Sequence, residues 1–296
     1  MNAGLKVAWL MLDGVGIAAF HDMHPFYDLQ IPTLTRLGIT SPQHILEPEF
    51  VSHPIDANLG VEGLPQSGTG QTTLLTGINA AKIMGRHYGP WPGPSLKPLL
   101  ERGLPVQLAE AGLSLRLANH YPRRYLEAIE SGKRRLNAIA YAMTQAGATL
   151  EHGIPPMLEN PEAPNETSLE QVQRWGQEFM SSNANLTIFD AWWSDHLGHH
   201  GTLLEAQNHA QRLEDFVTSA LEARDPETLF LVTSDHGNFE DVGIKTHTFA
   251  PVPLVAVGHG ALEFAKVTDL TGVAPALKAW FERDQAKIKA LAASRI

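Results

Sequence analysis

Four short apolar runs punctuate the chain: Lys6 to Leu12 (KVAWLML), Leu186 to Ala191 (LTIFDA), Leu229 to Val232 (LFLV) and Leu254 to Val257 (LVAV). Each is too short for an ordinary helix, and none alternates polar with apolar as a half-exposed strand does, so the pattern predicts strands buried on both faces. Other stretches repeat at helical spacing. Leu203, Ala206, Ala210, Leu213, Val217, Ala220 and Leu221 mark one face of a helix over 203–223, and 268–281 repeats the pattern behind a Thr268 or Asp269 N-cap. Ile31 to Leu37 reads as a short helix opened by proline, and 283–296 as a last helix. Strands alternating with helices imply an α/β fold with a mostly parallel sheet between helical layers.

From 86 to 182 the character changes. Pro, Gly and Trp crowd 89–98; helix-like and strand-like pieces then alternate at 105–111, 114–118, 134–145 and 170–181, and a proline-rich loop or linker spans 154–164. The expected organisation is a core split between 1–85 and 183–296, interrupted by a smaller inserted cap or substrate domain at 86–182. This middle block carries Arg123, Arg124, Lys133, Arg134 and Arg135. Such a run is either a solvated helix face or a clamp for substrate phosphate, whose oxygens match guanidinium forks.

The chain has 296 residues, 43% hydrophobic and 18% charged, as a folded globular protein does. Its net charge of -10 argues against nucleic acid or an anionic membrane as the main partner, yet leaves room for a small anion in a local basic pocket. With no cysteine there is no disulfide, thiolate ligand or Cys nucleophile. The apolar run before Asp13 is too short for a signal-peptide core or a membrane span, so a cytoplasmic protein is expected.

Candidate chemistry gathers at the ends of the apolar runs. Asp235 and His236, in TSDHGNFE, follow one run directly; there open α/β sheets bind ligands, although Asp, His, Gly and Asn are also ordinary turn residues. Asp195 and His199 stand four apart after another run, so one helical turn or a tight loop can aim both at one ion. His247 precedes the last run, and Asp13 follows the first. His21, His24, His44 and His53 lack ligand spacing and read as surface or turn residues. Ser67 opens SGTGQTTLLTG, small polar residues leading into a helical turn. Helix-start amides bind anions and a hydroxyl there can be activated as a nucleophile; the plainer alternative is a glycine-rich N-cap.

Taken together, the motifs D-G-x-G at Asp13, S-x-x-G-Q at Ser67, D-x-x-G-H-x-G at Asp195, D-H-G-N-x-E at Asp235 and H-T-x-x-P-V-P at His247 resemble the alkaline phosphatase superfamily of metalloenzymes. The likeness is greatest to its cofactor-independent phosphoglycerate mutase and phosphopentomutase branch. It covers 6–85 and 186–281. It implies an alkaline-phosphatase-like core with two divalent ions, Mn²⁺ or Zn²⁺: one held by Asp195, His199 and His247, the other by Asp13, Asp235, His236 and the nucleophile Ser67. It further implies phosphoryl transfer on a small phosphorylated metabolite, by a mutase or a hydrolase. Arg86, Arg123, Arg124, Arg134 and Arg135 are the candidate substrate residues. Gln71 departs from the mutases, which usually have His there, and no phosphopentomutase substrate residue is found in the middle block. A metal-binding protein without catalysis is the third reading, and it gives Ser67 no purpose.

Overall fold

The computed structural model describes residues 5–150, 153–160 and 166–293, with side chains as far as Asp284. Its strands are β1 (Lys6–Leu12), β2 (Ile45–Glu47), β3 (Phe50–Ile55), β4 (Leu115–Leu117), β5 (Leu186–Ala191), β6 (Thr228–Ser234) and β7 (Val252–Val257), forming one sheet in the order β2-β3-β7-β6-β1-β5-β4. The helices are α1 (Pro32–Arg36), α2 (Ser67–Thr76), α3 (Ala80–Met84), α4 (Lys97–Leu100), α5 (Leu104–Glu110), α6 (Arg123–Glu130), α7 (Ala138–Gln145), α8 (Leu169–Met180), α9 (Trp193–His200), α10 (Leu203–Glu222) and α11 (Val273–Ala293). The four apolar runs are β1, β5, β6 and part of β7. The last helix is one continuous element that takes in most of 283–296; residues 294–296 lie outside those described.

The sheet is mixed. β4, β5, β1 and β6 run parallel, whereas β6 with β7, β7 with β3 and β3 with β2 pair antiparallel, correcting the expectation of a mostly parallel sheet. The cause is the connection: no helix lies between β6 and β7, and without a crossover the chain can only turn back beside itself. That reversal sets the start of β7 next to the end of β6, with Thr233 opposite Leu254. A residue before β7 therefore reaches the same edge as residues after β1 and β6.

Successive β1 side chains enter opposite cores, as strand geometry requires. Val7, Trp9 and Met11 pack with residues of α2, α5, α7 and α11, while Ala8, Leu10 and Leu12 pack with residues of α1, α8 and α10. Trp9 is fully buried and its indole N–H donates to Thr233 Oγ1 at 2.9 Å, so truncating it to alanine costs about 3–5 kcal/mol. His24, expected near the surface, is fully buried. Its Nδ1 accepts the Phe26 amide at 3.2 Å, and burial, with His21 adding to it, pushes its pKa down to about 4. Phe26 draws the loop inward by packing edge-on against Phe239.

Much of 86–182 is built into these layers. β4 extends the sheet beside β5, α7 packs against α2, and α8 packs against α10. The exception is 120–136, which contains α6 and not one buried side chain. This strap lies across the sheet edge where β1, β5 and β6 end.

Candidate metal centre

Asp13 follows β1, and Asp235 and His236 follow β6; Leu12 and Ser234 are register partners, so the parallel pair delivers all three groups to one edge. Asp195 and His199 lie on α9, one turn apart on the same face. His247 is brought in by the loop between β6 and β7, which is closed by the Thr248 amide donating to Gly237 O at 3.0 Å. Ser67 is the first residue of α2. That helix is polar yet buried, because Thr72, Thr73 and Thr76 turn their hydroxyls onto the carbonyls of Gly68, Thr69 and Thr72. It also sits close against its neighbours: a Cβ at Gly70 would lie 2.7 Å from Asp235 O, and one at Gly68 2.7 Å from Tyr88 O.

The seven candidates form two abutting clusters. In the first, His199 Nε2 and His247 Nε2 are 3.0 Å apart and lie 3.5 and 3.4 Å from Asp195 Oδ1. In the second, His236 Nε2 lies 3.3 Å from Asp13 Oδ1, 3.7 Å from Asp235 Oδ2 and 2.9 Å from Ser67 Oγ. The His236 and His247 rings stack at 3.8 Å, joining the clusters.

Behind each imidazole stands a carbonyl: Lys245 O at 3.0 Å from His199 Nδ1, Pro65 O at 2.6 Å from His247 Nδ1 and Gly237 O at 3.3 Å from His236 Nδ1. A carbonyl only accepts, so the ring proton sits on Nδ1 and Nε2 turns its lone pair toward the cluster. Two lone pairs 3.0 Å apart at His199 and His247 repel unless a cation or an extra proton lies between them. Asp13 Oδ1 and Asp235 Oδ2 are buried without a hydrogen-bond donor among the described residues. Both features fit divalent cations, and an all-Asp, His and Ser donor set suits a hard or borderline ion.

The carboxylates differ electrostatically. Burial, reinforced by Asp235, Asp195 and Asp190, pushes the Asp13 pKa well up. Burial also pushes Asp195 up, but without cations the extra proton that His247 and His236 then share with it, together with the Asn238 amide, outweighs burial and holds its carboxyl well below the usual range. Supporting contacts come from residues to which the sequence had assigned no role. Gln71 Nε2 donates to Asp13 Oδ2 at 3.1 Å and Asn238 Nδ2 to Asp195 Oδ1 at 2.7 Å. Glu240 Oε2 accepts the amides of Gly16 and Asn238 at 2.9 and 2.8 Å, while the Thr248 hydroxyl bonds its other oxygen. Asn238 and Glu240 stand inside the D-H-G-N-x-E motif, which was the available signal.

Asp13 and Ser67 face a cavity of about 310 Å³, walled opposite by Tyr121, Tyr125, Arg134 and Asn137. A second chamber of about 750 Å³ shares Tyr125 and Arg134 with it and adds Arg124 and Lys133. Neither of these two arginines nor the lysine has a carboxylate within ion-pair distance among the described residues. The other candidate arginines stand elsewhere. Arg123 pairs with Glu127 on its own helix at 3.0 Å, Arg135 lines neither cavity, and Arg86 lies over the Tyr88 ring in a different recess.

A family profile described as Metalloenzyme superfamily matches residues 156–282, the stretch that holds Asp195, His199, Asp235, His236 and His247. The 2,3-bisphosphoglycerate-independent phosphoglycerate mutase of Vibrio parahaemolyticus is 35% identical over 92 residues, 28% of this chain and 18% of the mutase. That of Vibrio vulnificus is 31% identical over 122 residues, 38% of this chain and 24% of the mutase. The chain thus matches about a fifth of the length of these curated relatives. In fold it is similar to the alkaline phosphatase of the Antarctic bacterium TAB5, with a TM-score of 0.58 and 14% identity over 94% of this chain and 98% of that one. The cold-active alkaline phosphatase of a psychrophilic Shewanella sp. gives 0.54 and 14%, covering 92% and 99%. In motif order, in matched sequence and in fold, the chain resembles the alkaline phosphatase superfamily of metalloenzymes.

Proposed function

We propose that the protein is a two-metal phosphoryl-transfer enzyme acting through a phosphoseryl intermediate on Ser67, most simply a phosphomutase-like enzyme for a small phosphorylated metabolite. The observation that carries this reading is the place of the Ser67 hydroxyl, at the head of a ten-residue helix and 2.9 Å from His236 Nε2, where the two clusters meet. Asp195, His199 and His247 would hold one ion, and Asp13, Asp235, His236 and Ser67 the other. When bound, Mn²⁺ or Zn²⁺ ions supply positive charge that favours the seryl alkoxide and neutralises the phosphoryl oxygens.

The residues then have separate tasks. Ser67 Oγ attacks phosphorus; its bond to phosphorus forms as the ester P–O bond breaks, and the alcohol leaves carrying a proton. The positive end of α2 favours the anionic group that collects at Ser67. Arg134, with Arg124 and Lys133 behind it, takes a second negative group on the part of the substrate that is not transferred. In the second half the phosphoryl group passes to another hydroxyl of the substrate in a mutase, or to water in a hydrolase. One observation favours the hydrolase as a second reading: the strap leaves Pro122 and Arg134 exposed at the cavity, where water enters.

Trapping with a phosphate-labelled substrate tests the proposal. Label is expected on Ser67 and absent from Ser67→Ala. Label recovered on Thr69, or full turnover by Ser67→Ala, would remove Ser67 from the mechanism.

A further inference from the structure

The strap that walls the substrate side of the cavity is tied down at both ends to one buried residue. Asp190, near the end of β5, is fully buried and is not part of either metal cluster. Asn119 brackets its main chain: Asn119 Oδ1 accepts the Asp190 amide at 2.9 Å, and Asn119 Nδ2 donates to Asp190 O at 2.7 Å. Asn137 reaches its side chain, donating from Nδ2 to Asp190 Oδ2 at 2.5 Å. The other atom of that amide is also engaged, because Asn137 Oδ1 caps α7 by accepting the Ala140 amide at 2.9 Å. Asn119 and Asn137 are the residues that bound the strap.

Between them one main-chain bond ties the strap to the rest of the fold, His120 N donating to Ile154 O at 2.9 Å beside Asn119, and among the described residues nothing comparable holds the Asn137 end. No side chain of 120–136 is buried; Tyr121 and Leu136, near its two ends, touch the core only while half-buried. The bonds from Arg134 N to Ala128 O and from Tyr125 OH to Arg135 O, at 2.9 and 3.3 Å, run within the strap and cannot orient it on the sheet. A buried carboxyl is also costly to keep. Burial, with Asp235 adding to it and the Asn137 bond opposing, pushes the Asp190 pKa up to about 7, and its Oδ1 has no partner among the described residues. An apolar side chain would fill the space more cheaply, but it would leave Asn137 unanchored.

We propose that the Asp190 side chain is a positioning group: its main chain pairs with Asn119 at one end of the strap, and its carboxyl holds Asn137 at the other, which places Arg134 across the cavity from Ser67. That the cavity holds a phosphorylated substrate rests on the proposed function; the anchoring does not.

Hydrogen exchange on the full metal-loaded chain separates the two. In Asp190→Leu, which removes the Asn137 bond and keeps the main-chain pair with Asn119, amides of 128–136 are expected to exchange at least tenfold faster while those of β1 and β6 keep their rates. KM for a phosphoester with a second anionic group should rise at least tenfold, with kcat within threefold. Asp190→Asn still offers Asn137 an oxygen and should match the unaltered protein in both readouts. If Asp190→Leu does not fold, Asn137→Ser asks the same question, since serine keeps an N-cap hydroxyl but is too short to reach Asp190. Unchanged strap exchange in these variants overturns the proposal. So does an Asp190→Asn variant as impaired as Asp190→Leu, because charge rather than anchoring would then be at work. A protein with no phosphoester turnover at all would sink the proposed function, while the exchange result would still decide the anchoring.

Discussion

The two walls of the cavity are built in opposite ways. On the metal side each candidate ligand stands at a strand end, on a helix or in a closed loop, and each imidazole is fixed from behind by a carbonyl. On the other side seventeen consecutive residues, 120–136, carry the aromatic and cationic groups without burying one side chain. Stability within a fold follows buried apolar contact, so the first wall opens only with the whole domain and the second can open alone. On the proposed function, chemistry falls to the rigid wall and substrate preference to the strap. Changes on one side should leave the readouts of the other nearly untouched.

The largest expected effect lies on the rigid wall. Ser67→Ala should lose several orders of magnitude in turnover of an aryl phosphate, because no phosphoserine can form, yet keep the ion held by Asp195, His199 and His247. Activity assays with elemental analysis check both halves. Next, His247→Ala removes one of three donors from the first cluster and should weaken metal binding there by more than about 100-fold, the upper end of what loss of a supporting residue alone does. Titration with Mn²⁺ or Zn²⁺ should then show close to one tight ion where the unaltered protein binds close to two. Two tight ions in His247→Ala would break the assignment.

The strap's expected effect is smaller and of another kind. Losing a charge-assisted hydrogen bond costs about 1.5–3 kcal/mol, so Arg134→Ala should raise KM about 10- to 100-fold for a substrate with a second anionic group. Metal content should not change. A metal stoichiometry that falls in Arg134→Ala would erase the contrast between the walls.

That contrast also explains what the sequence made legible. The strands before the candidate ligands are continuous apolar runs, and the candidates follow them directly or, for Asp195, four residues on, so β1, β5, β6 and the residues Asp13, Asp195, Asp235 and His236 could be placed together from order alone. The antiparallel turn of β7 could not, because a run of Leu, Val and Ala reads the same in either direction. Nor could the helix over α9 be told from a loop, since Asp195 and His199 satisfy both. The strap was hardest to read. Asn119 and Asn137 are residue types common at turns and caps, Asp190 lies inside the LTIFDA run with nothing in the sequence to mark its partners, and the arginines gave no sign of which would face inward. Of the five nominated as substrate residues, Arg134 and Arg124 line the two chambers, and only contacts in three dimensions distinguish them from Arg123 and Arg135.

The smallest expected effect probes how firmly the rigid wall is seated. His209, on α10, is fully buried beside Phe239, whose amide donates to Gly14 O at 2.7 Å and so ties together the loops that follow β1 and β6. Burial, with Arg212 adding to it, pushes its pKa down to about 4, whereas the unfolded chain returns it to about 6.5. Between those values the unfolded state binds a proton that the folded state refuses. Stability therefore rises with pH across this window and is lost as pH falls from about 6.5 toward about 4. His209→Leu cannot take up that proton in either state, so its Tm should fall less steeply over the same range. Each kcal/mol removed from the pH dependence corresponds to roughly 2–4 °C in a chain somewhat smaller than this one. Thermal melts of chelator-treated protein at several pH values make the comparison without metal binding in the way. Parallel slopes for His209→Leu and the unaltered chain would show that the acid sensitivity of this wall lies in other groups, with His24 the next to test.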